Sequence, residues 1–214
     1  VLIGCSGPGG SPDAAVDARP DALPRLDCES YCERIEASCT GENVQYSERA
    51  HCMAACASFK VEGSMVTDAI GNTLGCRIHH AGLPSKDAAT DCAKAGPAGD
   101  RIEASPPTAC SDGNVCVSFC ALQIKACGSL DEPLPGDPKD SSGNSLYQYR
   151  NMANCLSNCA TIAKTHAYST ASAGDSLACR LNRAIRAAIP ANAGTECPNT
   201  GLLPVGPCEG PPTP

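Results

Sequence analysis

CESYCERIEASCTGENVQYSERAHCMAAC, residues 28 to 56, is the stretch whose reading decides the fold. Cys28, Cys32 and Cys39 stand at offsets of 0, 4 and 11 residues, which at 100° per residue fall within about 40° of one another on a helix. Cys52 and Cys56 share one side of a second helix, which Ser47 is placed to cap. Laid antiparallel, the two helices bring the first cysteine of one against the second of the other. The spacing therefore predicts the bridges Cys28–Cys56 and Cys32–Cys52.

The same pattern returns further along. With Cys5 set aside, sixteen of the 17 cysteines form two sets of eight: 28, 32, 39, 52, 56, 76, 92 and 110, then 116, 120, 127, 155, 159, 179, 197 and 208. Both sets open Cys-x3-Cys-x6-Cys and continue Cys-x3-Cys-x19-Cys. Other residues keep register: Tyr31 answers Phe119, Tyr46 answers Tyr149, and GNTLGCR at 71–77 answers GDSLACR at 174–180. This is an internal repeat. It carries the hairpin prediction to Cys116–Cys159 and Cys120–Cys155. A third helix is expected at each Gly-Asx-Thr/Ser-Leu segment, capped by Asn72 or Asp175. Its cysteine is expected to take the spare one of the hairpin, as Cys39–Cys76 and Cys127–Cys179, leaving Cys92–Cys110 and Cys197–Cys208 to close Gly/Pro-rich tails. The expected fold is all-α: two tandem disulfide-stapled domains, at 28–110 and 111–214, each an antiparallel helical hairpin plus a third helix and a tail.

Composition agrees with a stapled scaffold. There is no Trp, and only two Phe and five Tyr, so the core is thin and crosslinks must supply part of the stability. Disulfides in this number point to an oxidising compartment. No Cys-x2-Cys or haem-attachment signature occurs, so neither a metal nor another cofactor is expected. A formal charge of -7 disfavours nucleic acid as a partner. No hydrolase, metalloprotease, phosphate-loop or dinucleotide motif is present, and full pairing leaves no thiol nucleophile, so no enzymatic activity is expected.

Leu2-Ile3-Gly4-Cys5 resembles the lipobox of bacterial lipoproteins, and Ser6 to Asp27, rich in Gly, Pro, Ala and Asp, resembles the tethers of deltaproteobacterial, myxobacterial-like lipoproteins. The resemblance implies a signal-peptide remnant at 1–5, lipidation of Cys5, a disordered tether at 6–27, and a place in the cell envelope as an outer-membrane lipoprotein. The membrane would then be one partner, reached through the N-terminal lipid, and an unknown protein or envelope component another. The twin Cys-x3-Cys hairpins are similar to those of small mitochondrial intermembrane-space chaperones and plant hairpin-type defence peptides, in stapling only.

Few residues stand out as binding candidates. Arg77 and Arg180 recur directly after the third-helix cysteine, where a forked guanidinium could clamp a carboxylate or phosphate or else close a structural contact. His79 and His80 could meet a metal, an anion or a haem, although neighbours on a helix point about 100° apart. The loop Gly128 to Ser145 carries Asp131, Glu132, Asp137 and Asp140 without a calcium-loop register, which reads as disorder. The function expected is an exported, lipid-anchored, non-catalytic binding or structural scaffold. A periplasmic or surface thiol-disulfide redox or electron-transfer accessory is the alternative.

Overall fold

A computed structural model describes residues 25–61, 69–83, 87–102, 109–134, 139, 142–143, 145, 147–164 and 167–212. Cys5, the lipobox and most of the tether lie outside these residues. The described chain is all-α: helices α1 (Cys28–Ser38), α2 (Arg49–Cys56), α3 (Leu74–Ala81), α4 (Ala88–Ala95), α5 (Val115–Cys127), α6 (Met152–Cys159), α7 (Leu177–Ala187) and α8 (Ala193–Glu196), joined by turns and short 3-10 segments. The helices are short, so their ends matter. Asp27, Thr73, Asp87, Asn114, Asn151 and Ser176 each accept a first-turn N–H at the head of α1, α3, α4, α5, α6 and α7. The caps of α3 and α7 are thus Thr73 and Ser176, one residue beyond the expected Asn72 and Asp175. Asn72 instead accepts from Ser118 Oγ at 3.1 Å, and Asp175 pairs with Arg180.

Eight bridges staple these helices. Cys28 joins Cys56 and Cys32 joins Cys52, tying α1 to α2; Cys116 joins Cys159 and Cys120 joins Cys155, tying α5 to α6. The other four pairings correct the sequence reading. Cys39 joins Cys92 instead of Cys76, Cys76 joins Cys110, Cys127 joins Cys197 instead of Cys179, and Cys179 joins Cys208.

The reason is an unforeseen helix in the first set. Residues 88–95, expected as tail, form α4, which packs on α1 and on the turn after Cys39 and so presents Cys92 to it. The tail proper folds back onto the head of α3: Gly71 N–H donates to Ala109 O at 3.0 Å, which sets Cys110 beside Cys76. In the second set Gly174 N–H donates to Pro207 O at 2.7 Å and sets Cys208 beside Cys179. At Gly99, φ is +75° and a Cβ would run into the Cys110 carbonyl, so this fold-back requires glycine. In cysteine order both sets therefore follow one scheme: first to fifth, second to fourth, third to seventh, sixth to eighth.

The matching extends to the core. Tyr31 meets Tyr46 edge to face with centroids 6.3 Å apart, and Phe119 meets Tyr149 at the same 6.3 Å. Tyr31 Oη donates to Ala95 O at 2.7 Å, and Tyr149 Oη to Thr200 O at 2.9 Å. These buried residues do not form two separate cores. One cluster runs from Tyr31 and Ile35 through Phe119 to Leu181 and Ile185, α2 packs on α7, and Tyr168 Oη donates to Gln45 O at 3.1 Å.

Candidate functional site

The recurring arginines turn inward. Arg77 is fully buried: Nε donates to Gly96 O at 3.3 Å, Nη1 to Thr73 O at 3.3 Å and Nη2 to Ser118 Oγ at 3.2 Å, while the guanidinium carbon lies 3.9 Å from the Phe59 ring centroid. Arg180 is held the same way, Nε on Gly201 O at 2.8 Å and Nη1 on Ser176 O at 3.3 Å, with Nη2 2.6 Å from Asp175. Burial pushes the Arg77 guanidinium below its ordinary pKa, opposed by the nearby phenols of Tyr31 and Tyr46. Neither arginine presents a free fork to an anion. Arg77 ties the loop after α4 to the head of α3, and Arg180 ties Gly201 to the head of α7.

His80 is also enclosed. Its Nδ1 lies 3.3 Å from Asp91 Oδ1 on α4 and its Nε2 3.0 Å from Ala69 O, so both ring nitrogens are engaged. His79 meets the His80 ring edge on, with centroids 5.2 Å apart. Cys76, His80 and Cys110 place ligand atoms within 4.8 Å of one another, a spacing suited to a metal. The two sulfurs are bonded to each other, however, which removes the thiolates a metal would need. The bridged cysteines are all buried except Cys28, which is half-buried.

Open surface is found along α5. A groove of about 560 Å³ runs between the end of α2, α5 and α6, with Ala121, Ile124, Leu134 and Met152 in its lining. A second, of about 370 Å³, lies on the α7 and α8 side, with Ala126, Ala187, Ala188 and Pro190. Lys125 and Leu134 line both. The start of the 128–145 loop forms this shared wall and is ordered: Leu130 and Asp131 N–H donate to Tyr149 O and Arg150 O. Asp131 is bonded by Asn151 Nδ2 at 2.7 Å and Arg150 Nε at 3.3 Å, which hold its carboxyl below the usual range. It thereby ties the loop to the head of α6; Asp137 and Asp140 lie outside the described residues.

Residues 15–112 match the family model described as the BfoA family C-terminal domain. The BfoA-like stretch holds the whole first cysteine set and α1 to α4, and ends before α5. No curated protein and no solved structure matches the chain. The BfoA-like stretch and the eight closed bridges fit an exported, cysteine-rich protein. No helix among the described residues is long and apolar enough to cross a membrane.

Sequence reasoning passed over one polar cluster. His51 is buried beneath Ser47, with Nδ1 2.8 Å from the serine hydroxyl and Nε2 3.3 Å from Glu48. Burial lowers its pKa, and the Glu48 carboxylate opposes that shift. Ser-Glu-x-x-His in the linear sequence, absent from the second set, was the signal available.

Proposed function

We propose that this is a lipid-anchored envelope protein in which two disulfide-stapled repeats, 28–110 and 111–214, act as a rigid, non-catalytic binding scaffold. The observation that carries the reading is the closure and burial of the bridges: the described cysteines are spent on rigidity, and the two apolar grooves on α5 are fixed in shape by the helices they staple. Cys5 carries the lipid, residues 6–27 reach out from the outer membrane, and the α5 grooves receive an envelope partner with an apolar, extended segment. A redox role would need a sulfur that a partner thiolate can attack, and among the described cysteines only Cys28, of the Cys28–Cys56 bridge, approaches the surface.

The experiment is expression with a lipoprotein leader in a Gram-negative host, followed by detergent-phase partition and mass measurement of the N-terminal peptide. Wild type is expected in the detergent phase with an acylated Cys5, and Cys5→Ser in the aqueous phase. An unmodified Cys5, or Cys5→Ser partitioning like wild type, would overturn the lipid anchor.

A further inference from the structure

Of the helices of eight residues or more, six are capped by a side chain, and α2 is the exception. Its cap residue is Glu48, not Ser47 as the sequence suggested, and the Glu48 side chain accepts no helix N–H. Both residues that could cap α2 are turned to His51 instead. Ser47 Oγ lies 2.8 Å from Nδ1, and Glu48 Oε1 lies 3.3 Å from Nε2. A carboxylate only accepts, so the proton of a neutral imidazole belongs on Nε2 and the Nδ1 lone pair faces the serine hydroxyl. Ser47 itself is exposed. A nucleophile bonded to a base, which is oriented in turn by a third group, is the general signature of an activated hydroxyl.

The second set shows what capping alone looks like at this place. Arg150, Asn151 and Asn154 stand where Ser47, Glu48 and His51 do. There Asn151 caps α6 by accepting from Asn154 N–H, and Asn154 Oδ1 accepts from Arg150 N–H at 3.1 Å. The repeat therefore satisfies this helix end with amides, and the first set replaces them with a hydroxyl, a carboxylate and an imidazole.

We propose that Ser47 is a nucleophilic serine, with His51 as its base and Glu48 as the orienting carboxylate, that accepts an acyl group from an activated ester. Ser47 Oγ attacks the ester carbonyl while its proton passes to Nδ1. The bond to the alcohol oxygen breaks, and that oxygen leaves with the proton from His51. The products are an acyl-serine and a free alcohol. The Arg49 and Ala50 N–H groups, at the first turn of α2, have no acceptor inside the helix and would be the donors available to an oxyanion formed beside Ser47. The burial that keeps the imidazole neutral lets it serve as a base. The charged groups around it are Glu48 from its own helix end, Arg186 of α7 and Glu196 of α8. One covalent acylation per chain is inferred, which goes beyond the scaffold reading and stands or falls separately from it.

The test uses the full oxidised chain and a fluorophosphonate probe, which phosphonylates an activated serine with loss of fluoride. Intact mass and peptide mapping should show one adduct per chain, on Ser47, and p-nitrophenyl acetate should release one equivalent of nitrophenolate. Ser47→Ala should abolish both. His51→Asn installs the residue that the second set already accommodates, and should slow labelling by about 100-fold while near-ultraviolet dichroism stays native. The rate should fall with acid at a pH below the ordinary histidine value of about 6.5. Absence of an adduct on Ser47, equal labelling of Ser47→Ala, or a native-like His51→Asn labelled at the wild-type rate would each overturn the proposal.

Discussion

The Cys39–Cys92 bridge offers the sharpest test of the fold, because it spans a sequence separation of 53 residues and joins the end of α1 to a helix that the sequence reading missed. A detour through Cys28–Cys56 shortens the loop it closes by only about five residues, so the other bridges do not make it redundant. Chain-closure entropy for a loop of about 50 residues amounts to about 4 kcal/mol at 25 °C. For a body of this size that corresponds to a fall in Tm of about 8 to 16 °C. The assay is thermal melting, without reductant, of Cys39→Ala/Cys92→Ala against wild type, paired with alkylation and intact mass. That variant should melt lower by this margin and carry no alkylated cysteine beyond those of wild type. Its counterpart, Cys39→Ala/Cys76→Ala, should gain two alkylated thiols, Cys92 and Cys110, because the structure pairs each of them with a residue removed. If Cys39→Ala/Cys76→Ala gained none, Cys39 would be bonded to Cys76 after all. A Tm change under about 2 °C for Cys39→Ala/Cys92→Ala would show that the closure argument fails.

Arg77→Met leaves the Gly96 and Thr73 carbonyls without their charged donor and removes the stack on Phe59; it should cost about 3 kcal/mol in urea unfolding, and a loss below about 1 kcal/mol would refute the anchoring role. Burial holds the phenols of Tyr31, Tyr46 and Tyr168 above their ordinary range and pushes that of Tyr149 up to about 12. A raised folded pKa keeps its stabilisation below the unfolded value of about 10 and loses it as pH rises through the folded value, so tyrosinate absorbance and loss of helical dichroism should appear together in that alkaline window, and early ionisation of a native protein would refute the burial. His51 is shifted the other way: its contribution is present above about pH 6.5 and is lost as pH falls through its lowered folded value, so stability should decline in mild acid for wild type and less steeply for His51→Asn.

The hairpins were legible in the sequence because two periodicities coincide there. Helical spacing puts Cys28 and Cys32 on one face, and antiparallel packing leaves one sensible partner order with Cys52 and Cys56. Nothing comparable constrains Cys39, Cys76, Cys92 and Cys110. Their pairing depends on where the chain returns, and that is set by backbone contacts such as Gly71 to Ala109 that leave no mark in composition. The helix at 88–95 did have a signal, Asp87 as a cap before an alanine-rich run, but its eight residues are too few to stand out from a tail. At Arg77 and Arg180 the recurrence was visible and the direction was not. Arginine is mostly a surface residue, and its burial here depends on partners such as the Gly96 and Gly201 carbonyls that come from distant parts of the chain.

The buried parts of the two cysteine sets repeat one another: an edge-to-face aromatic pair, a phenol on a backbone carbonyl, an arginine on a glycine carbonyl, and the same four-bridge scheme. Such residues are fixed by packing and therefore carry little information about a ligand. The sets diverge where packing imposes less. In the first, the head of α2 exchanges a capping amide pair for Ser47, Glu48 and His51; in the second, the connection between hairpin helices lengthens, and its ordered start at Leu130 to Leu134 walls the α5 grooves. A scaffold held rigid by buried bridges tolerates such exchanges because most of its stability comes from the bridges and the packed core. Function specific to this chain is therefore to be sought at those two places, and because Ser47 stands at the head of α2 and Leu134 in the loop after α5, substitution of either should leave the activity of the other intact.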